Sequence, residues 1–358
     1  MTHRLGIMLG DDIGPEVVPE AVRVAKAALK AAGADVAWSQ IPIGKAALDK
    51  YGATMPKGTL DRLAKLDGFI LGPIGHQAYP RDNPDAINPH PIIRRHFDLY
   101  ANIRPAYSFA NLPSIHKGVD LVIIRENNEG FQPDRNMFAG LGEFMPSADM
   151  ALSVRVITRQ AALRLSRVAF EQARKRRKHV TAVHKDTVFK MGCGLFAACC
   201  REVALDYPDV AYDEVIVDTF ALKAVMRPQQ FDVVVTTNMF GDILSDLTAG
   251  IVGGLGLAPA LQRGPRYAMA QASHGSAPDI AGQGLANPYA EIMSMQMLLD
   301  WLGAERGDKK VAKAAKAMEQ AARDIIAEAK TVTPDMGGTA STSEVGKAMA
   351  SRAAKRAA

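Results

Sequence analysis

The sequence predicts an α/β protein built around a mostly parallel sheet. Short β-rich runs alternate with helix-period segments along most of the chain, the pattern that gives strands with helices packed across their faces. Two of those runs, Asp120-Leu121-Val122-Ile123-Ile124 and Phe231-Asp232-Val233-Val234-Val235, are nearly continuous in apolar residues, as strands buried on both faces are. The composition, 48% hydrophobic and 23% charged, is that of ordinary soluble globular protein and excludes a disordered chain or a collagen.

Taken in order, Leu5-Gly6-Ile7-Met8-Leu9 is the first expected strand, followed by a helix from about Pro15 to Ala32. Asp35 to Ile41 and Gly68 to Leu71 are the next strands. A helix is expected over Arg159 to Ala173, closed by Arg174-Lys175-Arg176-Arg177-Lys178, and a strand over Val180 to Val183. Cations in the last turn complement the helix dipole. That run is therefore read as a solvated helix end rather than a phosphate patch, although the pI is about 9.0. Val215-Ile216-Val217 is a further strand, and helices return over Glu291 to Leu302 and Lys309 to Ala329. The Ala-rich tail is helix-compatible, and Arg352 to Lys355 read as a frayed end. At roughly 100–200 residues per domain, 358 residues suggest two domains.

Several function classes drop out. Leu247 to Gln262 is the longest central apolar stretch and is shorter than the about 20 residues that cross a bilayer. Met1 to Leu5 runs straight into a strand with no signal-peptide core. The three cysteines, Cys193, Cys199 and Cys200, lie too close together for a disulfide framework and fit a reducing compartment. A cytoplasmic protein that binds neither membrane nor nucleic acid is expected. No Gly-x-Gly-x-x-Gly follows a strand, so a usual Rossmann domain is not expected. There is also no P-loop, His-Glu-x-x-His or Gly-x-Ser-x-Gly.

The chemistry lies in carboxylates and arginines. Asp242 and Asp246, four apart after the strand that ends at Val235, share one face of a helix. Two such carboxylates suit a hard divalent cation, Mg²⁺ or Mn²⁺; otherwise they form a solvated face, or Asp242 caps the helix. Asp218 sits at the end of another strand, where open α/β sheets place ligands. Arg94, Arg104 and Arg125 each flank a predicted element. Converging, they would hold a di- or tricarboxylate by bidentate pairs; singly, each would be a surface ion pair.

Four long motifs then occur in register: Gly10-Asp11-Asp12-Ile13-Gly14-Pro15-Glu16-Val17, Ala101-Asn102-Ile103-Arg104-Pro105, Asn238 to Asp246, and His274-Gly275-Ser276-Ala277-Pro278-Asp279-Ile280-Ala281-Gly282. With Pro334 to Thr339, they resemble the isocitrate/isopropylmalate dehydrogenase family of β-decarboxylating dehydrogenases over nearly the whole chain. The resemblance implies two α/β domains with a cleft between them: residues 1–100 plus 251–358 on the cofactor side, and 101–250 carrying the contacts of a homodimer. It implies shared active sites in which Lys185 and Asp218 come from the neighbouring subunit. Arg94, Arg104 and Arg125 would bind substrate carboxylates, Asp218, Asp242 and Asp246 the Mg²⁺ or Mn²⁺, and Lys185 would be the catalytic lysine. NAD is the implied cofactor, because Asp279-Ile280 stand where NADP-using members carry Lys-Tyr. His274, Gly275, Ser276, Ala277 and Asn287 match the rest of that site.

The chain also departs from the family. Gln132 replaces the tyrosine that protonates the enolate, and an amide has no proton to give up. Thr187 replaces an asparagine, Asp12 a glycine, and Gln271 stands where some members have glutamate. The selectivity segment Ile87-Asn88-Pro89-His90-Pro91-Ile92-Ile93 matches neither the isopropylmalate nor the isocitrate pattern, while Arg95 to Tyr100 resemble homoisocitrate, tartrate and D-malate members. His90 either meets a polar substrate group or is a surface-loop residue. The expected activity is NAD- and metal-dependent oxidation of a malate-type (R)-2-hydroxy acid bearing a β-carboxylate, with isopropylmalate as the default substrate and with decarboxylation. The alternatives are a catalytically weak homologue serving as a binding or regulatory subunit, and a dehydrogenase that does not decarboxylate.

Overall fold

The computed structural model describes residues 2–132, 134 and 136–358. The chain opens with β1 (His3–Met8), α1 (Gly14–Ala32), β2 (Val36–Gln40), α2 (Lys45–Tyr51), α3 (Thr59–Leu63), β3 (Gly68–Leu71) and α4 (Pro89–His96). β4 (Ala101–Tyr107) and β5 (Asp120–Glu126) follow, then a hairpin of β6 (Glu143–Ser147) and β7 (Met150–Ser153). Next come α5 (Arg159–Arg174), β8 (His179–His184), α6 (Gly192–Leu205), β9 (Ala211–Ile216), α7 (Val217–Met226), β10 (Val233–Thr236) and α8 (Asn238–Val252). β11 (Leu261–Arg263), β12 (Ala268–Ala270), α9 (Tyr289–Arg306), α10 (Lys309–Glu328) and α11 (Thr342–Ala357) complete it.

Ten strands form one sheet in the order β2-β1-β3-β12-β11-β4-β5-β10-β8-β9. The first four are mutually parallel, and so are the last four. The pairs β12–β11, β11–β4 and β4–β5 are antiparallel, so the two parallel blocks run in opposite directions. The expected α/β class with a mostly parallel sheet is thus observed, with an antiparallel seam at its centre.

Helix ends follow their sequence signals. Pro15 opens α1 and Gly33 closes it in the left-handed region, Thr158 and Asp308 cap α5 and α10, and Ser341 with Glu344 forms a capping box on α11. One core packs α1, α9, α10 and α11 on the first block, with Met8, Phe69, Leu71 and Ile93 in a second core. In the other block one core includes residues of α5 and α6, and another residues of α7 and α8.

One expectation about the tail is corrected. Arg352 to Lys355 are not frayed: they lie within α11, where Arg352 pairs with Glu328 at 2.6 Å and Asp324 at 3.3 Å. The apolar stripe of α11 packs on α1 and α10, which holds the end in place. The basic run does close α5, but Arg176 is tied down, bridging Asp120 at 2.7 Å and the buried Asp232 at 2.8 Å. No helix of the described residues is long and apolar enough to cross a membrane.

Candidate active site

The antiparallel seam sets two arginines against the first turns of α8. Arg104 projects from β4 and Arg125 from β5, and both side chains are nearly sequestered, at 9% and 6% exposure. Their shared partner, Asp242, is 51% exposed, and Asp246 is 53% exposed. The arrangement is a buried cationic floor under two solvated carboxylates. Arg104 Nη1 donates to Asp242 Oδ1 at 2.9 Å and to Ser245 Oγ at 2.7 Å, and lies 3.8 Å from Asp246. Arg125 Nη1 donates to the same Asp242 oxygen, while its Nε donates to the Asn238 carbonyl at 3.0 Å. These arginines lie within their strands rather than flanking them.

Gly241 makes the close approach possible. A Cβ there would sit 2.6 Å from Arg125 Cγ and 2.7 Å from its Cβ. Asp242 does not cap α8, because Thr237 holds that position. The predicted shared face is real: Asp242 and Asp246 are one turn apart and both meet Arg104. Burial and the neighbouring Asp242 push the Asp246 carboxyl up, against the pull of Arg104. Burial and Arg104 press the Arg125 guanidinium below its ordinary range, while Asp242 opposes them.

Lys185 and Asp218 form a separate pair. Lys185 follows β8 and donates to Asp218 Oδ1 at 2.5 Å from the start of α7. That hydrogen bond holds the Asp218 carboxyl below its usual value. Within one chain Asp218 does not join Asp242 and Asp246; among the described residues no group of three or more His, Cys, Asp or Glu is placed to hold a metal ion. The topology explains the separation. Asp218 follows β9 at the sheet edge, three strands from β5, or about 14 Å at about 4.8 Å per strand.

Arg94 lies in α4, and its Nε donates to Gln262 Oε1 at 2.8 Å. His90 is in the first turn of the same helix, hydrogen-bonded to Gln271, and so is not a loop residue. Burial, with Arg94 and His76 nearby, holds its imidazole well below the usual value. Gln132 Nε2 donates to Asn238 Oδ1 at 2.7 Å, which places it beside the arginine floor.

The glycine-rich loop bends back on the first strand's turn. Ile13 N donates to the Ser276 carbonyl at 3.1 Å, and Ala277 adopts φ +45°. His274 Nδ1 is 3.0 Å from the Gly275 carbonyl, while its Nε2 is buried with no hydrogen-bond partner among the described residues. Asp279 is exposed and Ile280 half-buried. Asn287 is already engaged, donating to Asp335 at 2.9 Å and accepting from Tyr289 N at 3.0 Å. Asp12, the residue that replaces a glycine, has φ +50°, a conformation that Asp tolerates better than most residues.

Residues not singled out from the sequence also build the site. Asn238 opens α8 and ties Gln132, Arg125 and the Glu126 carbonyl together. Asp11 accepts from Lys45 N, Gly75 N and the Tyr79 hydroxyl, which anchors the first loop. Both lie inside motifs quoted above. Gln262 carried no signal, since one polar residue in a short run marks nothing.

The described donors fit both implied groups. Asp242 and Asp246 offer solvated hard oxygens to a divalent cation. The orphaned His274 Nε2 beside an open glycine loop offers an unfilled polar contact to a nucleotide.

The chain is similar to known proteins over nearly its whole length. The family described as isocitrate/isopropylmalate dehydrogenase matches residues 4–349. A 3-isopropylmalate dehydrogenase of Archaeoglobus fulgidus is 40% identical over 353 residues, covering 97% of this chain and 98% of its own. An isocitrate/homoisocitrate dehydrogenase of Thermus thermophilus is 40% identical over 343 residues, 96% of each chain. The crystal structure of isocitrate dehydrogenase from Methylococcus capsulatus superimposes with a TM-score of 0.86 at 38% identity, covering 98% of this chain and 99% of that one. The chain therefore belongs to the isocitrate/isopropylmalate dehydrogenase family and is an oxidoreductase acting on a CH–OH group.

Proposed function

We propose that this dehydrogenase uses NAD and Mg²⁺ or Mn²⁺ to oxidise a malate-type (R)-2-hydroxy acid with a β-carboxylate, and that it works as a homodimer. The carrying observation is the buried pair Arg104 and Arg125 beneath the solvated pair Asp242 and Asp246. Desolvated arginines that press on one another await an anion, and their forks match carboxylates. With Arg94 they would hold the substrate's two carboxylates. Bound at Asp242 and Asp246, a divalent cation supplies the Lewis acidity that makes the substrate hydroxyl acidic, and bound NAD⁺ supplies the hydride acceptor. Lys185, as the neutral amine, would receive the hydroxyl proton, directly or through water, and become the ammonium that pairs with Asp218. Loss of the β-carboxylate as CO₂ leaves an enolate that must be protonated.

The dimer reading rests on exposed apolar side chains. Leu222, Val225 and Met226 of α7 and Met239 and Ile243 of α8 are exposed beside Asp218 and Asp242, as are Phe144, Met145, Met150 and Leu152 on the β6–β7 hairpin. A second copy covering this face would bring its Lys185 and Asp218 towards Asp242 and Asp246. We place the two expected units at 1–100 plus 251–358 and at 101–250, on either side of the seam. Asp279, exposed at the loop, would accept from an adenosine ribose and repel a 2′-phosphate.

The test is a panel of malate-type acids scored by NADH formation with Mn²⁺, with and without EDTA, and with NADP⁺ in place of NAD⁺. Turnover with NAD⁺ that EDTA abolishes and Mn²⁺ restores is expected. Full activity after metal stripping would rule out the metal assignment.

A further inference from the structure

Two buried glutamines connect Arg94 to His90. Gln262, in the middle of β11, is 1% exposed, and Gln271, just after β12, is 4% exposed. We propose that Gln262 and Gln271 form a one-way hydrogen-bond relay that begins at the Arg94 guanidinium and fixes His90 as the neutral tautomer with its proton on Nδ1.

The direction of each amide follows from its neighbours. Arg94 Nε can only donate, and it does so to Gln262 Oε1 at 2.8 Å. Asn127 Nδ2 donates to the same oxygen at 2.9 Å. The Asn127 amide is itself oriented, because its nitrogen also donates to the Leu99 carbonyl at 2.8 Å. Two donors therefore mark this end of Gln262 as the oxygen. Its nitrogen then donates to Gln271 Oε1 at 2.7 Å. That leaves the Gln271 nitrogen facing the Gly72 carbonyl at 3.4 Å and His90 Nε2. A carbonyl only accepts, so Gly72 fixes the same end of Gln271 independently of Arg94. An amide nitrogen has no lone pair to offer. His90 Nε2 must accept, and the ring's single proton sits on Nδ1.

Burial makes the order costly to break. Flipping either amide would set N–H against N–H where no water can repair it. A proton added to His90 Nε2 would likewise face the Gln271 N–H. The charged or titratable groups beside His90 are Arg94, on its own helix, and His76, on the segment before it; both disfavour a further positive charge. A glutamate at position 271 would have no hydrogen to donate at neutral pH. It would accept from Gln262 and from His90 Nε2–H, which reverses the ring and invites the imidazolium. The glutamine at 271 and the histidine at 90 are thus matched to each other. They leave the pocket beside Arg94 without a second cation. The assignment of Gln262 and Gln271 as positioning residues for substrate rests on the proposed function; the proton order does not.

The test is NMR of the full-length, substrate-free protein labelled with ¹⁵N-histidine, with His90 assigned by its loss in His90→Gln. The wild type is expected to show a ring protonated on Nδ1 that stays neutral below the usual histidine midpoint. Gln271→Glu is expected to raise the His90 titration by at least about one pH unit. Gln271→Leu, which removes the donor without adding charge, is expected to abolish the pure Nδ1–H signature, and it carries the test if the glutamate variant does not fold. A wild-type ring protonated on Nε2, or a signature unmoved in Gln271→Leu, overturns the relay. Gln262→Leu, assayed for KM and kcat, tests the link to substrate separately. If the NMR signatures are as expected while KM stays constant, the relay stands and Gln262 is not a positioning residue for substrate.

Discussion

Asp242 accepts from Arg104 and Arg125 on one carboxylate oxygen, so the position of the Arg125 side chain matters to the whole site. That position depends on the missing Cβ of Gly241. Gly241→Ala costs α8 nothing by helix propensity, yet its methyl would need the space that Arg125 Cβ and Cγ occupy. The variant is expected to melt lower, because the methyl overpacks a buried helix–strand contact, and, where folded, to lose at least about tenfold in kcat/KM, as displaced catalytic geometry does. Wild-type kinetics in a folded Gly241→Ala protein would show that Arg125 does not need this placement. Gln132 raises a different question at the same scale. Its amide nitrogen donates to Asn238, so it is held beside the arginines but has no proton to release. General-acid assistance is worth about 10²–10⁴-fold. NADH formation is therefore expected to run ahead of release of the protonated, decarboxylated keto acid in the wild type, and Gln132→Tyr is expected to bring the two closer together. One decarboxylated keto acid per NADH without lag in the wild type, unchanged in the tyrosine variant, would mean that another group or water supplies the proton.

At the scale of elements, a buried carboxyl makes stability depend on pH. Glu291, in the first turn of α9, accepts from Ala272 N at 2.9 Å with one oxygen, while the other has no partner among the described residues. Burial pushes its carboxyl up to about 8. A folded-state value above the unfolded one means that the unfolded chain releases its proton first. The favourable contribution is complete below the unfolded value of about 4.3 and is lost as pH rises towards about 8, by up to about 1.4 kcal/mol per pH unit. Glu291→Gln is therefore expected to flatten the fall in melting temperature between about pH 5 and 8 and to be the more stable protein at the alkaline end. Parallel melting curves for the two proteins across that range would show that Glu291 is not held protonated. Legibility also divides by element. β5 and β10 stood out because both faces are buried and their runs are apolar. β4 was quoted only as a motif, since Asn102, Arg104 and Pro105 interrupt it and its polar face lines the site. β11 and β12 went unseen: three residues each, with Gln262 buried by hydrogen bonding rather than by hydrophobicity. The Asp242–Asp246 face was legible from spacing alone. The approach of Arg104 and Arg125 to it was not, because it depends on strand order, which no local pattern encodes.

At the scale of the molecule, one chain holds two separate sets of groups. Asp242, Asp246, Arg104 and Arg125 sit at the seam, and Lys185 with Asp218 lies towards the β9 edge. A twofold dimer that joins the apolar faces of α7 and α8 would complete each site with the other chain's lysine, since a twofold interface exchanges the same contacts in both directions. Complementation tests this directly. Lys185→Met and Asp246→Asn are each expected to be inactive as pure dimers. After unfolding and refolding together, half of the dimers would be hybrids. One site of each hybrid would combine an intact Asp246 from one chain with an intact Lys185 from the other, and the second site would carry both lesions. Random pairing therefore returns about a quarter of wild-type activity. Were both residues used within one chain, every site in the mixture would keep one lesion, and no activity would return at any mixing ratio.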